Sequence, residues 1–175
     1  MSRNEKAKEI AHDRVDRARA QWAAQRPDLD PGWMALLGRL GDAAAIVARD
    51  HLEPLFAGFG LRPGEFDVLA ALRRAGPPFA LSPTALYEEA MITSSAMTNR
   101  IDRLEAAGLV TRRPDPEDRR GRKVVLTAPG RALIDRVIAA HVANEARVLA
   151  GLTEAEQHSL AALLRKLVAG LPPPG

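Results

Sequence analysis

The segment of residues 93–123 most constrains the fold, because the period of its hydrophobic pattern changes at one glycine, Gly108. Before that glycine, three apolar residues recur at helical spacing: Met97, Ile101 and Leu104. Thr93 is suited to cap such a helix, and Gly108 is suited to end it. After the glycine, residues 109–113 and 122–126 are typical of two short β-strands with turn-forming residues between them. The segment therefore predicts a helix followed by a β-hairpin.

The side of this helix opposite its apolar residues is polar. It carries hydroxyl, amide and guanidinium groups: Ser94, Ser95, Thr98, Asn99 and Arg103. Such groups hydrogen-bond to phosphates and to base edges in the major groove of DNA. A helix, a glycine turn and an arginine-rich hairpin in this order predict a winged helix-turn-helix. The alternative is a solvated amphipathic helix followed by an exposed hairpin.

Positive charge is concentrated in the same segment. Its eight basic residues exceed its five acidic residues by the whole net charge of the chain, +3. Local positive charge is typical of a nucleic-acid-binding surface. The side chains expected to contact phosphates are Arg103, Arg113, Arg119, Arg122 and Lys123.

Apolar helices are predicted on both sides of this segment. Residues 5–26 have a narrow apolar stripe that includes Trp22, and residues 33–59 are long and apolar. We therefore expect a mainly α fold with a small β wing, namely a winged helix-turn-helix with a helical dimerisation region. The predicted division has three parts: residues 1–31 as an extra helix and linker, residues 32–60 and 128–175 as dimerisation helices, and residues 61–127 as the DNA-binding domain. An intramolecular bundle is the alternative to a homodimer.

Asp67 stands out because it lies in an otherwise apolar helical pattern, residues 65–74. A carboxylate is costly to bury unless it is paired. Either Asp67 points outward or it has a partner, and both possibilities remain open at this level.

Several classes of chemistry have no support in the sequence. The chain has no cysteine, which excludes disulfides and thiolate metal sites, and its four histidines do not follow a metal-binding spacing. Neither a phosphate-binding glycine loop nor a nucleophile elbow is present. We expect no cofactor, no metal and no enzymatic activity, because a hydrolase would need a nucleophile–base pair that the motifs do not supply. Without a recognisable signal peptide or a long apolar run, a cytoplasmic protein is expected.

The chain resembles the MarR family of regulators over residues 33–169. The resemblance rests on an ordered set of motifs: Gly64 to Leu69, Thr93 to Ser95, Met97 to Glu105, Gly108 to Val110, Pro114 to Arg120, and Leu126 to Gly130. It implies a dimeric winged helix-turn-helix repressor that binds a pseudo-palindromic operator in double-stranded DNA. It also implies that Asp118 braces the wing and that Arg120 enters a minor groove.

The N-terminal segment is similar to the PecS-type, urate-responsive branch of this family. That resemblance implies an effector site at Trp22, Asp67, Arg100 and Arg112, and an effector such as urate, another purine or a phenolic compound. The sequence leaves open whether Arg112 or its neighbour Arg113 faces such a site, because the strand register is not known. The alternatives are a winged-helix protein with a different ligand and an architectural DNA-binding protein without an effector.

Overall fold

The computed structural model describes residues 13–89, 94–115 and 121–172, and the side chains of residues 94–96 lie outside this description. The chain divides into two compact units, Met1–Asp50 and His51–Gly175. Most described residues are helical, and the strands form one small sheet. The predicted mainly α fold with a small β wing is confirmed. The three-part division of the chain remains a prediction.

In its described part, the first unit consists of two packed helices, α1 (Arg14–Gln25) and α2 (Gly32–Ile46). Asp13 caps α1, and its side chain accepts a hydrogen bond from a backbone N–H of the first turn. Ion pairs also join the helices: Arg39 with Asp13 and Asp16, and Arg14 with Asp42.

The long apolar segment that begins in α2 is interrupted rather than uniform. A π-helical turn at Val47–Leu52 follows α2, and a short helix, α3 (Glu53–Gly58), follows the turn. The buried side chain of Asn144 donates a hydrogen bond of 2.9 Å to the backbone carbonyl of His51 in this turn. A side chain that is remote in sequence therefore satisfies a carbonyl within the irregular turn.

The second unit contains the winged helix-turn-helix. Its further elements are α4 (Glu65–Arg74), β1 (Ala80–Leu81), α5 (Pro83–Glu89), α6 (Ser94–Ala106), β2 (Val110–Pro114), β3 (Arg122–Leu126), α7 (Ala128–Val148) and α8 (Glu154–Ala169). The strands form an antiparallel sheet in the order β1-β3-β2. Strand β1 was not predicted, because two residues are too few to show a strand periodicity.

One hydrophobic core joins α4, α5, α6, the wing and α7. Fully buried members include Val68, Leu69, Leu72, Leu86, Leu104, Val124, Ile134 and Val137. Because α4 contributes three of these side chains, it provides much of the surface on which α6 and the wing pack.

Threonine side chains cap the two helices after the wing. The hydroxyl oxygen of Thr127 accepts a hydrogen bond of 3.0 Å from the N–H of Gly130 and caps α7. Thr153 and Glu156 form a capping box at the start of α8. Within the described ranges, no helix is both long and apolar enough to cross a membrane.

Candidate nucleic-acid interface and ligand site

Helix α6 has one buried side and one exposed polar side. Met97, Ile101 and Leu104 are buried in the core, as predicted from their spacing. Thr98 and Asn99 are exposed. Gly108 ends the helix with a φ of 70°, and the N–H of Leu109 donates to the carbonyl of Leu104 at 2.9 Å. The helix is therefore held on the core by one side while short polar side chains project from the other.

Part of the predicted DNA-binding set lies outside the described residues. This applies to Asp118, Arg119 and Arg120 in the wing and to the side chains of Ser94 and Ser95. Thr93, the predicted cap of α6, also lies outside the described residues. Their roles therefore remain predictions.

The strand register assigns the basic residues of the wing to opposite sides of the hairpin. Arg112 pairs with Val124, which is buried, whereas Arg113 pairs with Lys123. Arg113 and Arg122 are exposed, and Lys123 forms an ion pair with Asp115 at 3.1 Å. Because side chains alternate across a sheet, Arg112 faces the core side and Arg113 faces away from it.

Arg112 joins the base of the wing to the end of α6. Its backbone N–H donates to Glu105 at 2.7 Å, and its guanidinium pairs with Glu105 and Asp102. The backbone N–H and then the guanidinium of Arg112 lower the pKa of the Glu105 carboxyl. This arginine, expected at an effector site, is thus bound by two carboxylates of α6.

Arg103, predicted to contact DNA, also has a protein partner. Its Nε donates to Glu65 Oε1 at 2.8 Å. The Arg103 side chain remains 40% exposed, whereas the Glu65 side chain is only 6% exposed. Sequence reasoning missed Glu65, although an acid at the start of an apolar helix was a detectable signal.

Asp67 and Arg100, both expected at the effector site, lie close enough to interact electrostatically. Burial raises the pKa of the half-buried Asp67 carboxyl, and the charges of Arg100, His141 and Arg74 oppose that shift. Arg100 Nη1 is buried without a hydrogen-bond partner among the described residues. No direct hydrogen bond or ion pair between Asp67 and Arg100 occurs in the described part of the chain. An acid that is only partly compensated therefore lies near an unsatisfied guanidinium donor.

Gly64 makes room for the Arg100 guanidinium. It precedes α4 with a φ of 78°, and a Cβ atom there would lie 2.6 Å from Arg100 Nη2. The backbone conformation thus requires glycine, and any side chain at this position would also displace the Arg100 guanidinium. The sequence alone did not identify this contact.

Trp22 lies in the first unit, in a cavity of about 270 Å³ between α1 and α2. Its apolar lining includes Val15, Ala18 and Met34, and the Trp22 residue is 47% exposed. An indole in a mostly apolar cavity offers a surface on which a planar ring can stack.

Replacing Asp67 with asparagine is expected to raise the free energy of unfolding at pH 7. Because its pKa is higher in the folded protein than the ordinary value of 3.8, the folded state binds the proton more tightly than the unfolded chain. The stability contributed by that proton is present below the unfolded pKa and is lost as pH rises through the folded pKa. The advantage of Asp67→Asn should therefore disappear as pH falls below about 4 in urea titrations.

Asp28→Asn is the matched control, because the hydrogen bond from Arg26 lowers the pKa of the exposed Asp28. Above the pKa of the unfolded chain, Asp28→Asn should lower the free energy of unfolding slightly, which is opposite to the change expected for Asp67→Asn. A less stable Asp67→Asn variant at pH 7 would contradict this account of Asp67.

Comparisons with known proteins find a match between residues 59–121 and the MarR family model. The chain is 42% identical over 147 residues to the transcriptional regulator PecS of Dickeya dadantii (strain 3937). The aligned residues cover 84% of this chain and 88% of PecS.

Two solved structures extend this comparison. Sco3205 of Streptomyces coelicolor in complex with DNA has a TM-score of 0.69 at 31% identity and covers 79% of this chain and 87% of that one. BpsR of Bordetella bronchiseptica, whose DNA binding is regulated by 6-hydroxynicotinic acid, has a TM-score of 0.62 at 29% identity, with coverages of 74% and 98%.

Proposed function

This chain belongs to the MarR family of DNA-binding transcriptional regulators, and on that premise we propose that it is a homodimeric repressor released from DNA by a small anionic aromatic ligand. Urate is the first candidate for that ligand. A member of this family acts as a transcriptional regulator and not as an enzyme.

The observation that carries the DNA-binding role is the two-sided character of α6. Its apolar side is fixed in the core while Thr98 and Asn99 are exposed, an arrangement suited to a helix that enters a major groove. The exposed Arg113 and Arg122 on the wing are suited to phosphate contacts. We assign base contacts to the helix and backbone contacts to the wing, together with the predicted Arg120 contact to a minor groove.

Exposed apolar side chains support the homodimer. In the first unit, Trp33 is 72% exposed, and other exposed apolar residues of α2 are Met34, Leu36 and Leu37. In the second unit, α8 exposes Leu160, Leu163, Leu167 and Val168. Surfaces of this kind are typical of protein–protein interfaces. A two-fold dimer would require a pseudo-palindromic operator with half-sites about one helical turn apart.

The unsatisfied donor of Arg100 supports an anionic effector. A ligand carboxylate or enolate can accept a hydrogen bond from Arg100 Nη1, which has no described partner. The negative charge of the ligand would then compete with that of Asp67 for electrostatic attraction to Arg100 and would move α6. This requires that the ligand bind the DNA-free protein more tightly than the DNA-bound protein. The regulation of BpsR by 6-hydroxynicotinic acid gives an example of an aromatic acid acting on a related protein. Trp22 and Arg112 remain expected contributors because of the resemblance to PecS-type regulators.

The test begins with selection of binding sites from a random-sequence duplex pool, followed by fluorescence-anisotropy titrations with the selected duplex. We expect a dimer by light scattering and binding at least about a thousandfold tighter than to a scrambled duplex. Urate, xanthine, 6-hydroxynicotinate and salicylate are then added to the complex. Release by one of them, and loss of that release in Trp22→Phe and Asp67→Asn, would support the effector site.

Three results would contradict parts of this proposal. A monomer would exclude the homodimer, equal affinity for selected and scrambled duplexes would favour an architectural protein, and failure of every ligand to release DNA would exclude this class of effector. A response to salicylate but not to purines would favour the phenolic alternative.

A further inference from the structure

The turn that begins α4 contacts two arginines of α6. Gly64 accommodates the guanidinium of Arg100, and Glu65 binds that of Arg103. The two arginines are three positions apart on α6 and therefore occupy neighbouring places on its surface. Two consecutive residues thus meet α6 at its boundary between core and solvent.

Glu65 is fixed by more than its pairing with Arg103. Its residue is 5% exposed, and Oε2 accepts a hydrogen bond of 2.8 Å from the backbone N–H of Arg62. It is also the first residue of α4, where the helix dipole favours a negative charge. The carboxylate is therefore held in place before it meets Arg103.

Among the described residues, Arg103 is bound through one edge, its Nε. Nε donates to Glu65, while 40% of the side chain is exposed. A guanidinium has five N–H donors in a rigid plane, so fixing Nε also restricts the directions of the four N–H bonds on the terminal nitrogens.

We propose that Glu65 is a positioning residue for DNA recognition, which orients the Arg103 guanidinium so that its terminal nitrogens donate to the DNA. The proposal rests on the DNA-binding function. Glu65 itself does not touch DNA. It reduces the rotamer entropy that Arg103 loses on binding, and it fixes the direction of a contact that a free arginine would make in many geometries.

A double-mutant cycle tests this role with the duplex selected from the random pool. Glu65→Gln keeps an oxygen that can accept the Arg62 N–H but removes the charge that binds Arg103. We expect Glu65→Gln to weaken binding about tenfold in the wild-type background and less than about twofold in an Arg103→Gln background. Equal losses in both backgrounds, or no loss in the wild type, would overturn the proposal.

Salt dependence supplies a measurement that a purely structural role would not reproduce. Arg103→Gln should reduce the slope of log affinity against log salt by about 0.9 if Arg103 contacts a phosphate, or relax one base preference if it contacts a base. Glu65→Gln should preserve the slope, because Arg103 keeps its charge. An Arg103→Gln variant with wild-type affinity, slope and base preference would refute the contact.

Arg103→Lys covers the case in which Glu65→Gln does not fold, as judged by its melting transition. Lysine keeps the charge but lacks the planar guanidinium that can bind Glu65 and DNA at the same time. DNA affinity should therefore fall about tenfold, with the slope of log affinity against log salt unchanged. Wild-type affinity in Arg103→Lys would contradict the orienting role. Wild-type binding to the selected duplex tests the proposed function separately, because it does not depend on these variants.

Discussion

Gly130→Ala is expected to lower the free energy of unfolding by about 3 kcal/mol or more, the largest stability effect predicted for this protein. Gly130 is buried in the first turn of α7. A Cβ atom there would overlap the backbone carbonyl oxygen of Leu109 and would lie 3.0 Å from Leu126 Cδ1. A backbone atom cannot move aside as the end of a flexible side chain can.

The Leu109 carbonyl is also fixed by Thr127. It accepts the Thr127 backbone N–H at 3.1 Å and the Thr127 hydroxyl at 3.0 Å. Moving it would disturb the junction between the end of α6, the wing and α7. Differential scanning calorimetry should therefore show a melting temperature lower by about 10 °C.

Gly58→Ala is the matched control, because Gly58 also lies in a helix, but no described atom outside its own stretch of helix lies within 4 Å of its Cβ position. This variant should be neutral or more stable by up to about 1 kcal/mol, since alanine favours the helix. Similar melting temperatures for Gly130→Ala and Gly58→Ala would show that the junction is not as tight as its geometry indicates.

The second large effect is expected from Asn99→Ala, which should weaken binding to the selected duplex by about 1–3 kcal/mol. Asn99 is exposed on the polar side of α6. An asparagine amide can donate to and accept from one adenine edge, so its removal should relax the base preference at one position. Affinity for a scrambled duplex and the salt slope should change little, because no charge is removed.

Arg122→Gln provides the contrasting variant on the wing. It removes an exposed charge suited to a phosphate contact, so it should weaken binding to selected and scrambled duplexes alike and reduce the salt slope by about 0.9. If Asn99→Ala lowered the affinity for the selected and the scrambled duplex equally, base reading by Asn99 would be excluded.

Local features were predictable from the sequence, because they depend on residues near one another in the chain. The buried stripe of Met97, Ile101 and Leu104 followed from helical spacing, and the end of α6 followed from Gly108. The caps formed by Thr127 and Thr153 depend on the same kind of short-range chemistry. The π-helical turn at Val47–Leu52 was not predictable, because its residues are all compatible with an ordinary α-helix.

The sequence by itself determined the approximate positions of the main helices and of the hairpin, which side of α6 is buried, and that this helix presents polar groups beside a basic hairpin. Only the tertiary structure decided which partners the arginines have. Arg103 meets Glu65, 38 positions away, and Arg112 meets carboxylates of α6 because the wing folds back onto that helix. Periodicity specifies the direction of a side chain from its own helix or strand, but the packing of separate elements determines which group it meets there.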